Sequence, residues 1–124
     1  MSERPKVLVV DDDRDLLDLL ELVLDMRGYD VRTAANGEEG LAEAERETPD
    51  VILLDMKMPV MNGWDFAKRY RRKPDPRAPI VVFTASADAR RIADEIGAED
   101  FIGKPFDVSR LVSKVGRWAQ AAKR

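Results

Sequence analysis

The 124-residue chain contains neither cysteine nor histidine. The first absence excludes disulfide bonds and thiolate chemistry, and the second removes the commonest general base and metal ligand. No apolar run approaches the roughly 18 residues that a membrane-spanning helix needs. The opening MSERPK also lacks the hydrophobic segment of a signal peptide, so a cytoplasmic location is expected. An excess of positive charge is missing too: the net charge is -3, which argues against direct nucleic-acid binding. What remains for chemistry is carboxylates, hydroxyls, lysines and a recruited ion. Hydrophobic residues at 44% and charged residues at 36% describe a soluble globular chain about the size of one domain. With no internal repeat, low-complexity stretch or linker, a single domain is expected over residues 1–124, its core spanning about 6–122.

The order of elements is legible from periodicity. Lys6 to Val10 is a short apolar run, and Asp13 to Arg27 then carries Leu16, Leu17, Leu20, Val23 and Leu24 at helical spacing. Gly28 supplies a stop. YDVRTA alternates as a strand, with Tyr29, Val31 and Thr33 on one side, and NGEEGLAEAERETPD reads as a helix stopped by Pro49. Val51 to Asp55 is a second apolar run, MPVMNG is a turn, and Trp64 to Arg72 is predicted helical. After a proline-bearing loop, Ile80 to Ala85 forms a third buried run. A helix over Ala89 to Ile96, a stop at Gly97, a strand over Asp100 to Gly103 and a helix from Asp107 to about Ala122 complete the chain. Five strands alternating with five helices, the strands apolar without clean alternation, predict an α/β fold: a doubly wound parallel sheet covered on both faces, with right-handed crossovers. Sites in such folds form beyond the carboxyl ends of the strands.

Five polar residues stand at those ends. Asp11 and Asp12 follow the first strand, Asp55 ends the third, Thr84 ends the fourth and Lys104 follows the fifth. Two like charges about 4 Å apart repel by roughly 4 kcal/mol at an effective dielectric of about 20. Three clustered carboxylates therefore need more than one lysine to balance them. A hard divalent cation does this, and Mg²⁺ suits a few carboxylates with the remaining positions left to water and phosphate oxygen. Asp13 and Asp15, by contrast, stand where an N-cap and a first-turn acid stabilise a helix start without further function.

The stretches VLVVDDD, PDVILLDMKMPVMNG, IVVFTA and FIGKPFD, in that order, resemble the signatures of bacterial response-regulator receiver domains, the phosphorylated switches of two-component signalling. The resemblance covers the chain from Lys6 to the last helix. It implies a flavodoxin-like fold with strand order 2-1-3-4-5, and a cis bond between Lys104 and Pro105. It implies Asp55 as phosphoacceptor, Asp11 and Asp12 as the acidic pair holding Mg²⁺ (or Mn²⁺ in its place), and the Lys57 backbone carbonyl as a further metal contact. Thr84 becomes the switch hydroxyl, Phe101 the switch aromatic, and Lys104 the cation on the phosphoryl group. The implied partners are a histidine kinase or histidine phosphotransfer protein upstream and a protein target downstream, with neither nucleic-acid contact nor membrane insertion. The chain is then a switch that promotes its own phosphorylation and dephosphorylation rather than an enzyme turning over free substrates.

Two alternatives stand beside it. A degenerate receiver would act only as an interaction module, against which the complete set of acids, hydroxyl and lysine argues. An aspartyl-phosphate phosphohydrolase would carry a second aspartate two residues beyond the nucleophile, where Lys57 stands; that lysine reads otherwise as a solvated loop residue or a modulator of phosphoryl lifetime. Two departures from the family are visible: Phe101 lacks the hydroxyl common at its position, and the segment from Thr84 to Lys104 is short, which points to a shortened fourth helix. The basic run KRYRRKPDPR reads as a solvated helix end complementing the dipole, as does the terminal KR, and Trp64 and Trp118 read as half-exposed packing residues.

Overall fold

The computed structural model describes residues 4–122; the opening MSE and the terminal Lys123 and Arg124 lie outside the described residues. The chain runs β1 (Lys6–Val10), α1 (Arg14–Met26), β2 (Asp30–Ala34), α2 (Gly37–Arg46), β3 (Val51–Leu54), α3 (Gly63–Tyr70), β4 (Ile80–Thr84), α4 (Ala89–Ile96), β5 (Asp100–Gly103) and α5 (Val108–Ala122). The strands form one parallel sheet in the order β2-β1-β3-β4-β5, as the resemblance implied.

Strand side chains alternate between two cores. Leu8, Val10, Ile52, Leu54, Ile80 and Val82 face α2, α3 and α4, where they meet Phe66, Ala67, Tyr70, Ile92 and Ala93. Val7, Val9, Val51, Leu53, Val81 and Phe83 face α1 and α5, against Leu17, Leu20, Leu24, Leu111 and Val115. Because both faces are buried, each central strand is apolar throughout, which is why the sequence shows runs and not alternation.

Helix starts are fixed by side chains that accept the unpaired first-turn amides. Asp13 Oδ1 accepts from Leu16 N at 3.2 Å, Asn36 Oδ1 from Glu39 N at 2.9 Å and Asn62 Oδ1 from Asp65 N at 2.9 Å. Glu39 reaches back to accept from Ala35 N at 3.0 Å, closing a reciprocal pair at the start of α2. Gly28, at φ +93°, turns the chain out of α1. The predicted boundaries shift by a residue or two at several ends. The third helix finishes at Tyr70 and not Arg72, because Arg71 to Lys73 continue only as a turn toward Pro74, whose predecessor is disfavoured in a helix. The fourth helix is short, eight residues, in line with the short segment between Thr84 and Lys104. The Lys104–Pro105 bond is cis, and so is Asp75–Pro76.

The basic run after α3 does more than end a helix. Arg71 donates to the Gly97 carbonyl, Arg77 Nη1 to the Arg71 carbonyl at 2.6 Å, and Lys73 Nζ to the Pro76 carbonyl at 3.2 Å. Three of these cations are thus structural ties; Lys68, Arg69 and Arg72 remain exposed. Phe66 is fully buried and stacks on Tyr70 with ring centroids 5.8 Å apart. Phe66→Ala is expected to lower unfolding free energy by about 3–5 kcal/mol, read as a fall in the denaturant midpoint at unchanged slope.

Candidate functional site

The strand order reverses between β1 and β3, so the crevice beyond their carboxyl ends is the natural site of the fold. Three ladder bonds carry the pairing one residue past the strands and fix what stands there. Asp11 N donates to the Ala34 carbonyl at 3.0 Å, Asp55 N to the Val10 carbonyl at 2.9 Å, and Lys104 N to the Thr84 carbonyl at 2.8 Å. Asp11, Asp55 and Lys104 are therefore placed by sheet backbone before any side-chain interaction is made.

The side chains then converge. Asp11, Asp12 and Asp55 each offer a carboxylate oxygen within 4.8 Å of the others. Asp11 is fully buried, Asp55 nearly so and Asp12 exposed. Lys104 Nζ lies 2.6 Å from Asp11 Oδ2 and 3.9 Å from Asp55 Oδ1, and 4.7 Å from the centroid of the Phe83 ring, a cation–π contact beneath it. Asp11 Oδ1 also accepts from Asp13 N at 2.9 Å, and Asp55 Oδ1 from Met56 N at 2.8 Å. Three carboxylates facing one ammonium leave two formal negative charges in the crevice, with Asp11 and Asp55 buried. The donor set, all hard oxygen, fits a small divalent cation and no soft metal.

Burial pushes the Asp55 carboxyl up from its ordinary 3.8 to about 6, and the neighbouring Asp11 adds to the rise, against the lowering pull of Lys104 and the Met56 amide. At neutral pH Asp55 is still mostly ionised, and it is held in a position where negative charge is unwelcome.

Thr84 is buried, and its Oγ1 accepts from Ser86 N at 3.3 Å. Its register partner on β5 is Gly103, and Val82 pairs with Phe101. Thr84 and the Phe101 ring thus share the face toward α4, Thr84 two residues nearer the crevice. Lys57 is exposed in the loop after β3, with no hydrogen bond or ion pair among the described residues. That loop is braced from behind: a Cβ on Gly63 would lie 2.6 Å from the Asp55 carbonyl oxygen, so only glycine lets α3 begin this close to the acid.

Met56 and Phe83 are not singled out by the sequence, and Gly63 is read there only as part of the Asn62-Gly63 turn. Nothing in an apolar run distinguishes the ring that lies under a lysine, or the amide that holds a carboxylate, until the chain is folded.

Residues 7–116 match the model of the response regulator receiver domain. The chain belongs to this family. Receiver domains are the signalling modules of two-component response regulators, not metabolic enzymes, and they accept phosphoryl groups and bind Mg²⁺ at an acidic pocket. Among curated relatives, the transcriptional regulatory protein PrrA of Mycobacterium tuberculosis is 42% identical over 113 residues, covering 90% of this chain and 48% of its own. The DNA-binding dual master transcriptional regulator RpaA of Synechocystis is 38% identical over 119 residues, 90% of this chain and 47% of its own. The receiver chain thus spans about half the length of these relatives. Among solved structures, a putative response regulator from Chloroflexus aurantiacus superposes with a TM-score of 0.87 at 36% identity, over 95% of this chain and 99% of its own. Response regulator TrrA of Thermotoga maritima, solved in complex with Mg(2+)-BeF, gives 0.82 at 32% identity over 92% and 98%. Among the described residues of this receiver no helix is long and apolar enough to cross a membrane.

A raised carboxyl pKa makes a linkage prediction. A group whose folded value lies above its unfolded value stabilises the fold below the unfolded pKa, and that contribution is lost as pH rises through the folded one. Ionised Asp55 therefore costs about 2–3 kcal/mol above pH 7. Without divalent cations, Asp55→Asn is expected to be more stable than wild type by about that amount at pH 7.5, the difference closing as pH falls to about 4, measured by urea denaturation across the range.

Proposed function

We propose that this receiver takes a phosphoryl group on Asp55 from a phosphohistidine partner and that the modified acid alters the face formed by Thr84 and Phe101. The observation that carries the proposal is the pairing geometry of Lys104, which is 2.6 Å from Asp11 and 3.9 Å from Asp55. Asp55 keeps a free oxygen for attack while its buried neighbour Asp11 holds the lysine.

With a pKa of about 6, Asp55 at neutral pH is ionised about ten to one and needs no general base. Its free carboxylate oxygen attacks the phosphorus in line, the new P–O bond forms as the P–N bond of the donor imidazole breaks, and that imidazole leaves with a proton from solvent. Asp11, Asp12, Asp55 and the Lys57 carbonyl are the groups that would hold Mg²⁺. When bound, the ion offsets the charge of the carboxylates and orients the incoming phosphoryl oxygens. Lys104 pairs with a phosphoryl oxygen as its own hold on Asp11 is shared out. Since the chain has no histidine, the phosphohistidine lies outside these residues, on a histidine kinase or histidine phosphotransfer protein, with the cytoplasm as the setting and the chain acting as one domain.

Thr84 completes the switch. Its hydroxyl proton is free to donate to a phosphoryl oxygen, which draws the loop after β4 toward Asp55 and changes the packing space of Phe101 on the same face. A downstream protein that prefers this arrangement must in turn stabilise the phosphorylated state.

Incubation with acetyl phosphate and Mg²⁺ is expected to add the mass of one phosphoryl group to the intact protein, and Asp55→Asn to abolish the gain. Lys104→Met is expected to slow phosphorylation by about 10²-fold, the usual cost of losing a charge-stabilising donor. A gain that survives Asp55→Asn without moving to another aspartate overturns the assignment.

A further inference from the structure

The edge of the sheet at β5 carries a cluster that the reading of the crevice does not use. Asp100 opens β5 and is paired in register with Val81, so its side chain faces α5, whereas Phe101 faces α4. Lys114, on α5, reaches between the two. Its Nζ donates to Asp100 Oδ1 at 2.8 Å and to the Phe101 carbonyl at 2.8 Å, and it lies 5.0 Å from the Phe101 ring centroid. An ammonium has three N–H donors, and here two bond to oxygen while the third direction is left to the ring. Asp100 Oδ1 also accepts from the Phe101 amide at 2.7 Å, and its other oxygen, Oδ2, accepts from Trp118 Nε1 at 2.9 Å. Side-chain exposure is 12% for Asp100 and 23% for Lys114, so the cluster is far less screened than an ordinary surface pair.

We propose that Lys114 is a positioning residue for Phe101: anchored at the open sheet edge by Asp100 and the Phe101 carbonyl, its ammonium holds the ring in its half-buried place and couples any movement of that ring to α5. This rests on the reading of Phe101 as the moving aromatic. A phenylalanine has no hydroxyl by which a polar partner could fix it, and a cation grips it electrostatically through the face of its ring. The ring also borders open space at the sheet edge. Phe101 and Lys114 line a groove of about 400 Å³ shared with Pro105, Phe106 and Arg110. When the ring leaves its place, Lys114 keeps Asp100 and the carbonyl and loses the ring, so the ring position is transmitted as a change in the surroundings of Lys114 on the outer helix.

The test compares Lys114→Met, which keeps the aliphatic stem without the charge, with Lys114→Arg, which restores cation and donors. In the unliganded protein, NMR couplings and shifts of the Phe101 side chain report its rotamer populations. Loss of one cation–π contact is expected to raise the ratio of displaced to resting ring about fivefold in Lys114→Met, and Lys114→Arg to return it toward wild type. With beryllofluoride and Mg²⁺ as the phosphoryl mimic, Lys114→Met is expected to bind about fivefold more tightly, and the gain to vanish in a Phe101→Leu background. A purely structural ion pair predicts a lower melting temperature with unchanged Phe101 rotamers in Lys114→Met, and that result overturns the proposal. If the wild-type protein takes up no beryllofluoride, the reading of the crevice falls, while the rotamer ratio in the unliganded variants still decides the role of Lys114.

Discussion

The site is organised by a conflict of charge. Three carboxylates stand within 4.8 Å of one another, two of them buried, with one lysine at hand. Burial takes Asp11 and Asp55 out of the water that would ordinarily screen them, while Asp12 stays exposed. Desolvation and repulsion together hold the Asp55 proton affinity well above that of a surface aspartate, and the fold accepts that instability at the crevice where receiver domains bind Mg²⁺.

The backbone makes this conflict possible. Side chains at the tips of separate strands could drift apart to relieve repulsion, but Asp11, Asp55 and Lys104 are each pinned by an amide that extends the neighbouring strand's ladder. Glycine at position 63 brings α3 against the Asp55 carbonyl, and Lys104 rests over Phe83 while that ring packs edge-on against Phe106 at 5.1 Å. Rigid packing behind the crevice thus holds the charges where electrostatics alone would not.

The proposed phosphoryl chemistry and shape change would meet along β4 and β5. Thr84 and Phe101 lie on one face of the sheet, while Asp100 and the α5 side chains lie on the other, and Lys114 crosses the exposed edge between them. In a sheet covered on both faces the edge strand is the place where a single side chain can touch both layers. A lysine at that edge also covers an outward-facing carbonyl that would otherwise invite pairing with another strand. Trp118, read from the sequence as a packing residue, turns out to hold Asp100 through its indole N–H, and Trp64 similarly reaches Glu95 on α4 at 3.4 Å.

The sequence by itself determined the number and order of elements, the doubly wound class and the acids at the strand tips, because period, buried runs and turn residues are local properties of the chain. Helix ends were legible to within a residue or two, since proline and capping residues bias a boundary and tertiary packing sets it. Strand order and the roles at Asp11, Asp55, Thr84 and Lys104 came from resemblance, not from spacing alone. Only the tertiary structure decided which acid the lysine grips, how far burial lifts Asp55, that Arg71 and Arg77 serve as ties and not as a solvated helix end, and that Lys114 stands over Phe101. Each of these joins residues far apart in sequence, and the energies involved depend on distances and desolvation that exist only once the sheet has closed its two cores.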